Sequence, residues 1–257
     1  MEIANRVVVV TGAASGIGAA LVRRFIAERA QAVIAVDLAT QNAPSGSVAR
    51  RCDVTDEGAV AALVAHVERE YGRLDMFCSN AGVLSLGWDL RRLDLAQWDR
   101  DWRVNVMAHA YAAKAALPGM VARGEGYLLQ TLSAAALLAS PESAAYTTTK
   151  HAALGLAEFL AFSYRRFGVR VSALCPMAVR TPMASAIGED GASAGLDGVM
   201  TPDEVASEAV AGVRDERFLI FPHPRVPVYA AKKSAQTERW LQQMAELQQR
   251  FTDAGQA

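Results

Sequence analysis

The sequence predicts an α/β protein: a doubly wound, mostly parallel sheet of about seven strands with helices on both faces. Three observations predict it. Short apolar, β-branched runs alternate with longer amphipathic stretches along the chain. The short runs are apolar at successive positions, as strands covered on both faces are. A glycine-rich turn joins the first run to the first amphipathic stretch, where sheets of this kind open a binding crevice.

The elements follow in order. "RVVVVTG" (6–12) predicts a buried strand ending at Gly12, and "GIGAALVRRFIAERA" (16–30) a helix. "QAVIAVDL" (31–38) and "SVARRCDV" (47–54) are the second and third strands. "DEGAVAALVAHVEREYG" (56–72) is a helix, with Ala59, Leu63, His66 and Val67 at helical spacing. "LDMFCSNAG" (74–82) is a fourth strand and 96–124 a long helix. "GYLLQTLS" (126–133) is a fifth strand, 144–168 another long helix, "VRVSALCP" (169–176) a sixth strand and "RFLIFP" (217–222) a seventh at the edge. Helical crossovers between parallel strands are right-handed.

No internal repeat or low-complexity linker interrupts this pattern, so residues 1–257 are expected to form one domain. The Gly-, Ser- and Ala-rich stretch near 183–200 is long for a loop and predicts a lid or substrate loop. A helical extension near 227–251 carries Trp240, Met244, Leu247 and Phe251 at amphipathic spacing. It has three candidate seats: the fold itself, a partner subunit, or the substrate pocket.

Composition bounds the function. The chain of 257 residues is 52% hydrophobic and 21% charged, which is globular composition with enough length for a substantial core. A formal net charge of −1 and a pI near 6.4 give no electrostatic reason to expect nucleic acid or an anionic membrane as partner. Cys52, Cys78 and Cys175 have no paired spacing, so reduced thiols in a cytoplasmic protein are expected. No run approaches the roughly 18 apolar residues of a spanning helix, and the N-terminus lacks the pattern of a signal peptide. The four histidines lie on different elements, so no metal site is expected.

Two motifs carry chemistry. "TGAASGIG" (11–18) places Gly12, Gly16 and Gly18 between the first strand and first helix. Such a turn lets backbone approach a pyrophosphate, and the helix then presents free N–H groups and its positive end to that anion. Asp37 ends the second strand nineteen residues after Gly18, close to the roughly 20-residue offset of an acid that binds adenosine ribose. Its carboxylate would repel a 2′-phosphate, and residues 38–40, "LAT", offer no cation to attract one. NAD is therefore expected over NADP. The second motif is Tyr146 and Lys150, i and i+4 on a helix and so on one face. A free phenol has a pKa near 10, and a cation at about 4 Å in an effective dielectric near 20 favours phenolate by roughly 4 kcal/mol. Lys150 and the positive nicotinamide ring together, before any desolvation cost, predict a general base working near neutrality, with Ser133 at the fifth strand's end bonding the substrate oxygen.

Taken together, these motifs resemble the short-chain dehydrogenase/reductase family over residues 6 to about 182. "TGAASGIG" is similar to its cofactor turn, where Ser15 and Ile17 accompany the glycines. "CDVT" (52–55) resembles the adenine-contacting segment, with Asp53 and Val54 in the matching places. "SNAG" resembles N-N-A-G and places Asn80, Ala81 and Gly82. Asn105, Ser133, Tyr146 and Lys150 match the catalytic set, and the resemblance implies that Asn105 holds a water linking Lys150 to solvent. Pro176, Val179 and Thr181 match positions at the nicotinamide. Where the family usually has Pro-Gly, this chain has Pro176-Met177, which puts the pocket's shape in question. The resemblance implies a Rossmann-like fold and association into a homo-tetramer or dimer through the helices from Ala96 and Ala144.

The expected activity is NAD-dependent hydride exchange with a largely apolar secondary alcohol or ketone. Val83, Leu84, Leu86, Trp88, Ala134, Ala135, Ala136, Met177, Met183 and Ile187 are expected to border the pocket, and none is charged. A carboxylate-bearing substrate would need a cation, for which Arg180 is the near candidate. An NADPH-dependent reductase and a non-catalytic nucleotide sensor are the alternatives. Asp37 opposes the first and the complete catalytic set the second.

Overall fold

The computed structural model describes residues 1–185 and 192–254. In chain order the main elements are β1 (Val7–Thr11), α1 (Gly16–Ala27), β2 (Ala32–Asp37), β3 (Val48–Arg51), α2 (Glu57–Tyr71) and β4 (Met76–Ser79). Then come α3 (Leu95–Trp102), α4 (Ala108–Arg123), β5 (Gly126–Thr131), α5 (Ala144–Tyr164) and β6 (Val169–Leu174). The chain continues with α6 (Pro182–Ser185), α7 (Pro202–Arg214), β7 (Leu219–Ile220), α8 (Val226–Ala235) and α9 (Thr237–Ala254). The seven strands form one sheet in the order β3-β2-β1-β4-β5-β6-β7. Every neighbouring pair is parallel. This is the doubly wound, Rossmann-like sheet expected from the sequence. Strand order reverses between β1 and β4, so their C-terminal ends flank a crevice.

Alternation along each strand sends side chains to two separate cores. Val7 and Val9 of β1 join Leu63 and Val67 of α2, Ala116 of α4 and Leu160 of α5 on one face. Val8 and Val10 join Leu21 and Phe25 of α1 and Val210 of α7 on the other. A two-residue period between two helical layers is what makes both strand faces apolar. Local signals set the helix ends. Asp56 caps α2 by accepting from Ala59 N (3.0 Å), and Gly72 ends it in the left-handed region, at φ 74°.

Four elements differ from expectation. The long helix over 96–124 is divided: α3 and α4 are joined by a π-turn, Arg103–Met107, that contains Asn105. Such turns widen a helix by one residue and re-aim the side chains within it. Helix α7 was missed, although "TPDE" carries its signal: Thr201 caps, Pro202 starts, and Glu204 completes a reciprocal capping box. The C-terminal extension is two helices rather than one, broken at Gln236, whose φ and ψ of −142° and 56° are not helical. The edge strand is short, two residues instead of six.

No helix among the described residues is long and apolar enough to cross a membrane. The three cysteines are buried and unpaired.

Candidate active site

The crevice opens into a cavity of about 870 Å³. The glycine turn forms one wall. Thr11 locks it to the end of β4: its Oγ1 accepts from Asn80 N (3.0 Å) and Ala81 N (3.1 Å), while Asn80 Nδ2 donates to Thr11 O (2.9 Å). Gly12 has a φ of +65°, and a Cβ on it would stand 2.8 Å from Ala81 Cα. A Cβ on Gly18 would stand 2.1 Å from Gly12 O. These glycines let turn, helix and "NAG" segment close on one another.

Of the residues expected to bind cofactor, Gly12, Ser15, Gly16, Ile17, Asp37, Asp53 and Val54 line the cavity. So do Asn80, Ala81, Gly82, Pro176, Val179 and Thr181, while Gly18 lies behind the turn. Asp37 accepts from Ala14 N (3.0 Å) through one oxygen and from Ala39 N (3.1 Å) through the other. Asp53 accepts from Thr55 N and Oγ1, and those bonds lower its pKa.

Ser133, Tyr146 and Lys150 converge on the same cavity. Ser143 caps α5 and receives the Tyr146 N–H (3.1 Å), which sets the phenol in the helix's first turn. Lys150 Nζ donates to Thr131 O (3.2 Å) and lies 5.4 Å from the Tyr146 ring centroid. Asn105 is fully buried outside the cavity lining. Its Oδ1 accepts from Val83 N (3.0 Å), and its Nδ2 donates to Val83 O (2.9 Å) and Thr149 Oγ1 (3.2 Å). It therefore ties α5 to the chain that leaves β4.

In the sequence reading Lys150 and the nicotinamide charge act together on Tyr146; in the protein alone burial acts first. Burial pushes the phenol above its usual range, opposed by the neighbouring Ser133 hydroxyl. Burial also pulls Lys150 down to about 8. The Lys150 Nζ lies near the ring and bonds the Thr131 carbonyl rather than the phenol oxygen. Desolvation wins in the protein alone.

The substrate end departs further from expectation. Val83, Leu84, Ala134, Ala135, Met177 and Met183 line the cavity. Leu86, Trp88 and Ala136 do not, and Ile187 lies outside the described residues. Ala136 is core, and Trp88 stacks on Phe251 of α9 at 6.2 Å. Helix α9 covers the cavity, presenting Trp240, Met244 and Leu247 to it, so the pocket is the seat of the C-terminal extension. Gln248 holds the cover by donating to Pro141 O (3.0 Å). Lys233 of α8 donates to Leu137 O and Leu138 O, both at 2.8 Å.

The expectation of an uncharged lining does not hold: Glu142, Asp197, Lys232, Glu246 and Arg250 contribute to it. Glu142 is 2% exposed and accepts from Ser140 Oγ (2.6 Å) and Ser193 N (2.8 Å). Arg180 lies instead in a separate depression beside Ala14 and Ser15. Sequence spacing showed that α9 buries one face, but not which surface receives it. Met177 is absent from the non-glycine residues with positive φ (Asn5, Arg29 and Glu216), so its side chain is accommodated without backbone strain. Among the described residues no group of three or more His, Cys, Asp or Glu side chains is placed to hold a metal.

A parallel sheet with a glycine turn at its switch point, facing a Ser–Tyr–Lys group across one cavity, defines a class of α/β oxidoreductase. The comparisons agree. The family model for short chain dehydrogenase matches residues 6–192. The chain is 37% identical over 192 residues to 2-(R)-hydroxypropyl-CoM dehydrogenase of Xanthobacter autotrophicus, covering 70% of this chain and 76% of that one. It is 35% identical over 222 residues to cis-4-hydroxycyclohexanecarboxylate dehydrogenase of Sinomonas cyclohexanicum, covering 81% and 88%. A crystal structure of a short-chain dehydrogenase/reductase from Burkholderia phymatum in complex with NAD superposes with a TM-score of 0.83 at 25% identity, covering 93% of this chain and 96% of that one. The chain belongs to the short-chain dehydrogenase/reductase family and is an oxidoreductase acting on CH–OH groups.

Proposed function

We propose that this protein is an NAD(H)-dependent dehydrogenase of largely apolar secondary alcohols, working reversibly on the corresponding ketones. The observation that carries the reading is the convergence of Ser133, Tyr146 and Lys150 on the cavity that begins at the glycine turn. The residues fit a dinucleotide: the turn accepts a pyrophosphate, Asp37 is placed for the adenosine ribose, and Val179 and Thr181 border the reacting end. When bound, the nicotinamide supplies the acceptor or donor of the hydride.

The chain's own residues do the rest. Ser133 donates a hydrogen bond to the substrate oxygen, and Tyr146 takes its proton in oxidation or returns it in reduction. Lys150 favours the phenolate, and Asn105 fixes the spacing between α5 and residue 83. Trp240, Met244 and Leu247 exclude water and supply apolar area, worth about 25 cal/mol per Å² buried before binding costs.

The test compares kcat/KM for a bulky hydrophobic alcohol with those for a sugar and a short hydroxy acid. A preference for either of the latter sinks the substrate reading. Asp37→Ala is expected to weaken NAD binding by about ten- to a hundredfold, the loss of charged hydrogen bonds worth roughly 1.5–3 kcal/mol, and to relax rejection of NADP. A wild type that prefers NADPH in parallel titrations contradicts the ribose assignment.

The protein is also proposed to be a homo-tetramer or dimer joined through α4 and α5. Both helices are rich in alanine, and α5 exposes Phe159 and Phe162, whose rings meet edge to face at 5.3 Å. Apolar rings displayed together mark a surface that association covers. Light scattering at micromolar concentration is expected to show an oligomer that Phe162→Glu weakens. A monomeric wild type overturns this.

A further inference from the structure

Tyr146 is held from both sides through its own backbone. Ser143 Oγ, three residues before it, accepts the Tyr146 N–H (3.1 Å), and Thr149 Oγ1, three residues after it, donates to the Tyr146 carbonyl (3.0 Å). Each hydroxyl is anchored in turn to the chain that leaves β4. Thr149 Oγ1 accepts from Asn105 Nδ2 (3.2 Å), and Asn105 is bonded to both backbone groups of Val83. Ser143 Oγ donates to the Ser85 carbonyl (2.5 Å). Ser85 is gripped by Asp101, whose Oδ2 accepts the Ser85 N–H (3.0 Å) and whose Oδ1 accepts the Ser85 hydroxyl (2.9 Å). Asp101 is fully buried on α3, four residues before Asn105. An ionised carboxylate can only accept, as can a carbonyl, so every bond of this chain has one direction. The Ser85 hydroxyl donates to Asp101 and receives Arg100 Nη2 (2.9 Å), and the Ser143 hydroxyl donates to Ser85 and receives Tyr146. Such a carboxylate is costly to bury, and Arg100, its cationic neighbour at 3.3 Å, is itself more than half exposed. An apolar residue would make the cheaper core at this place.

We propose that Asp101 is a positioning residue for the proton transfer: through Ser85 and Ser143 it sets the start of α5, and with it the aim of the Tyr146 oxygen. This rests on the reading that Tyr146 carries the proton. Asp101 and Asn105 then form a two-point mount, one ending on the N–H of Tyr146 and the other on its carbonyl. The Asp101 side chain touches neither substrate nor cofactor and acts only through the residues it holds.

The test follows 2-octanol oxidation by the full chain with NAD, beside NADH titration by fluorescence. Asp101→Ala is expected to lower kcat by about ten- to a hundredfold, the scale of a misplacement of about 1 Å, while KM and the NADH Kd stay within about twofold. Asp101→Asn keeps one acceptor for the Ser85 N–H and is expected to recover kcat to within about threefold of wild type. In a Tyr146→Phe background, Asp101→Ala should change the residual turnover by less than about twofold, because no phenol oxygen is left to aim. Ser143→Gly leaves a residue that starts helices well and removes the tie to Ser85. It should reproduce the Asp101→Ala loss, and the double variant should lose no more than either alone. A wild type inactive on 2-octanol, or one in which Tyr146→Phe costs nothing, overturns the reading on which this rests. With that loss present, three results each overturn this proposal alone: an unchanged kcat in Asp101→Ala, an equal Asp101→Ala loss in the Tyr146→Phe background, or an Asp101→Asn variant no better than Asp101→Ala. Should the alanine variant not fold, Ser143→Gly and its cycle with Tyr146→Phe decide.

Discussion

Tyr146→Phe is expected to lower turnover by at least about a hundredfold, the lower end of general acid–base contributions, with NADH affinity almost unchanged. The substitution removes one oxygen and leaves the ring, its place in the first turn of α5 and the Ser143 cap intact. Burial raises the Tyr146 pKa, so the phenol of the free protein is neutral at pH 7 and ready to donate. That state suits ketone reduction; alcohol oxidation needs the phenolate and should gain from raised pH. A variant that keeps more than a tenth of wild-type turnover removes Tyr146 from the assigned role.

Lys150→Met is expected to abolish most activity and yet to stabilise the fold at neutral pH. Lys150 is 4% exposed, and its pKa falls from 10.5 to about 8 because burial disfavours the charged form. The direction of the pH dependence follows from linkage. Between pH 8 and 10.5 the unfolded chain binds the proton and the folded chain does not, so stability rises with pH across that window. At pH 7 the charged lysine therefore costs the native state about 3 kcal/mol. Methionine removes that cost and leaves the Thr131 carbonyl without its donor, about 1 kcal/mol, for a net gain of about 2 kcal/mol. By pH 10 the gain should vanish: the unfolded lysine is then partly deprotonated, and the remaining cost of about 1 kcal/mol only matches the lost Thr131 bond. Urea denaturation at pH 7 and pH 10 checks this; a wild type more stable than the variant at pH 7 contradicts it. The loss of activity follows from charge: a cation 5.4 Å from the ring favours phenolate by about 3 kcal/mol at an effective dielectric near 20. Function here retains a group that stability alone would discard.

Much of this protein was legible in its sequence because the signals are local. The strand and helix periods, the glycines of the turn after β1, Asp37 at a strand end and the Tyr146–Lys150 spacing all lie within a few residues of their structural cause. Helix α7 was legible too, in the reciprocal pairing of Thr201 with Glu204.

What the tertiary structure alone decided is who meets whom across the crevice. The apolar stripe of Trp240, Met244 and Leu247 shows that this segment buries one face, but an apolar face carries no address: the hydrophobic effect is non-directional, and the three candidate surfaces satisfy it equally. The seat over the cavity depends on polar ties far apart in sequence, from Gln248 to Pro141 and from Lys233 to Leu137 and Leu138. How far burial raises the Tyr146 pKa in the protein alone was hidden for the same reason. Sequence spacing specifies the neighbouring charge, whereas desolvation depends on everything that packs around the pair, and only the folded chain decides how much water is left there.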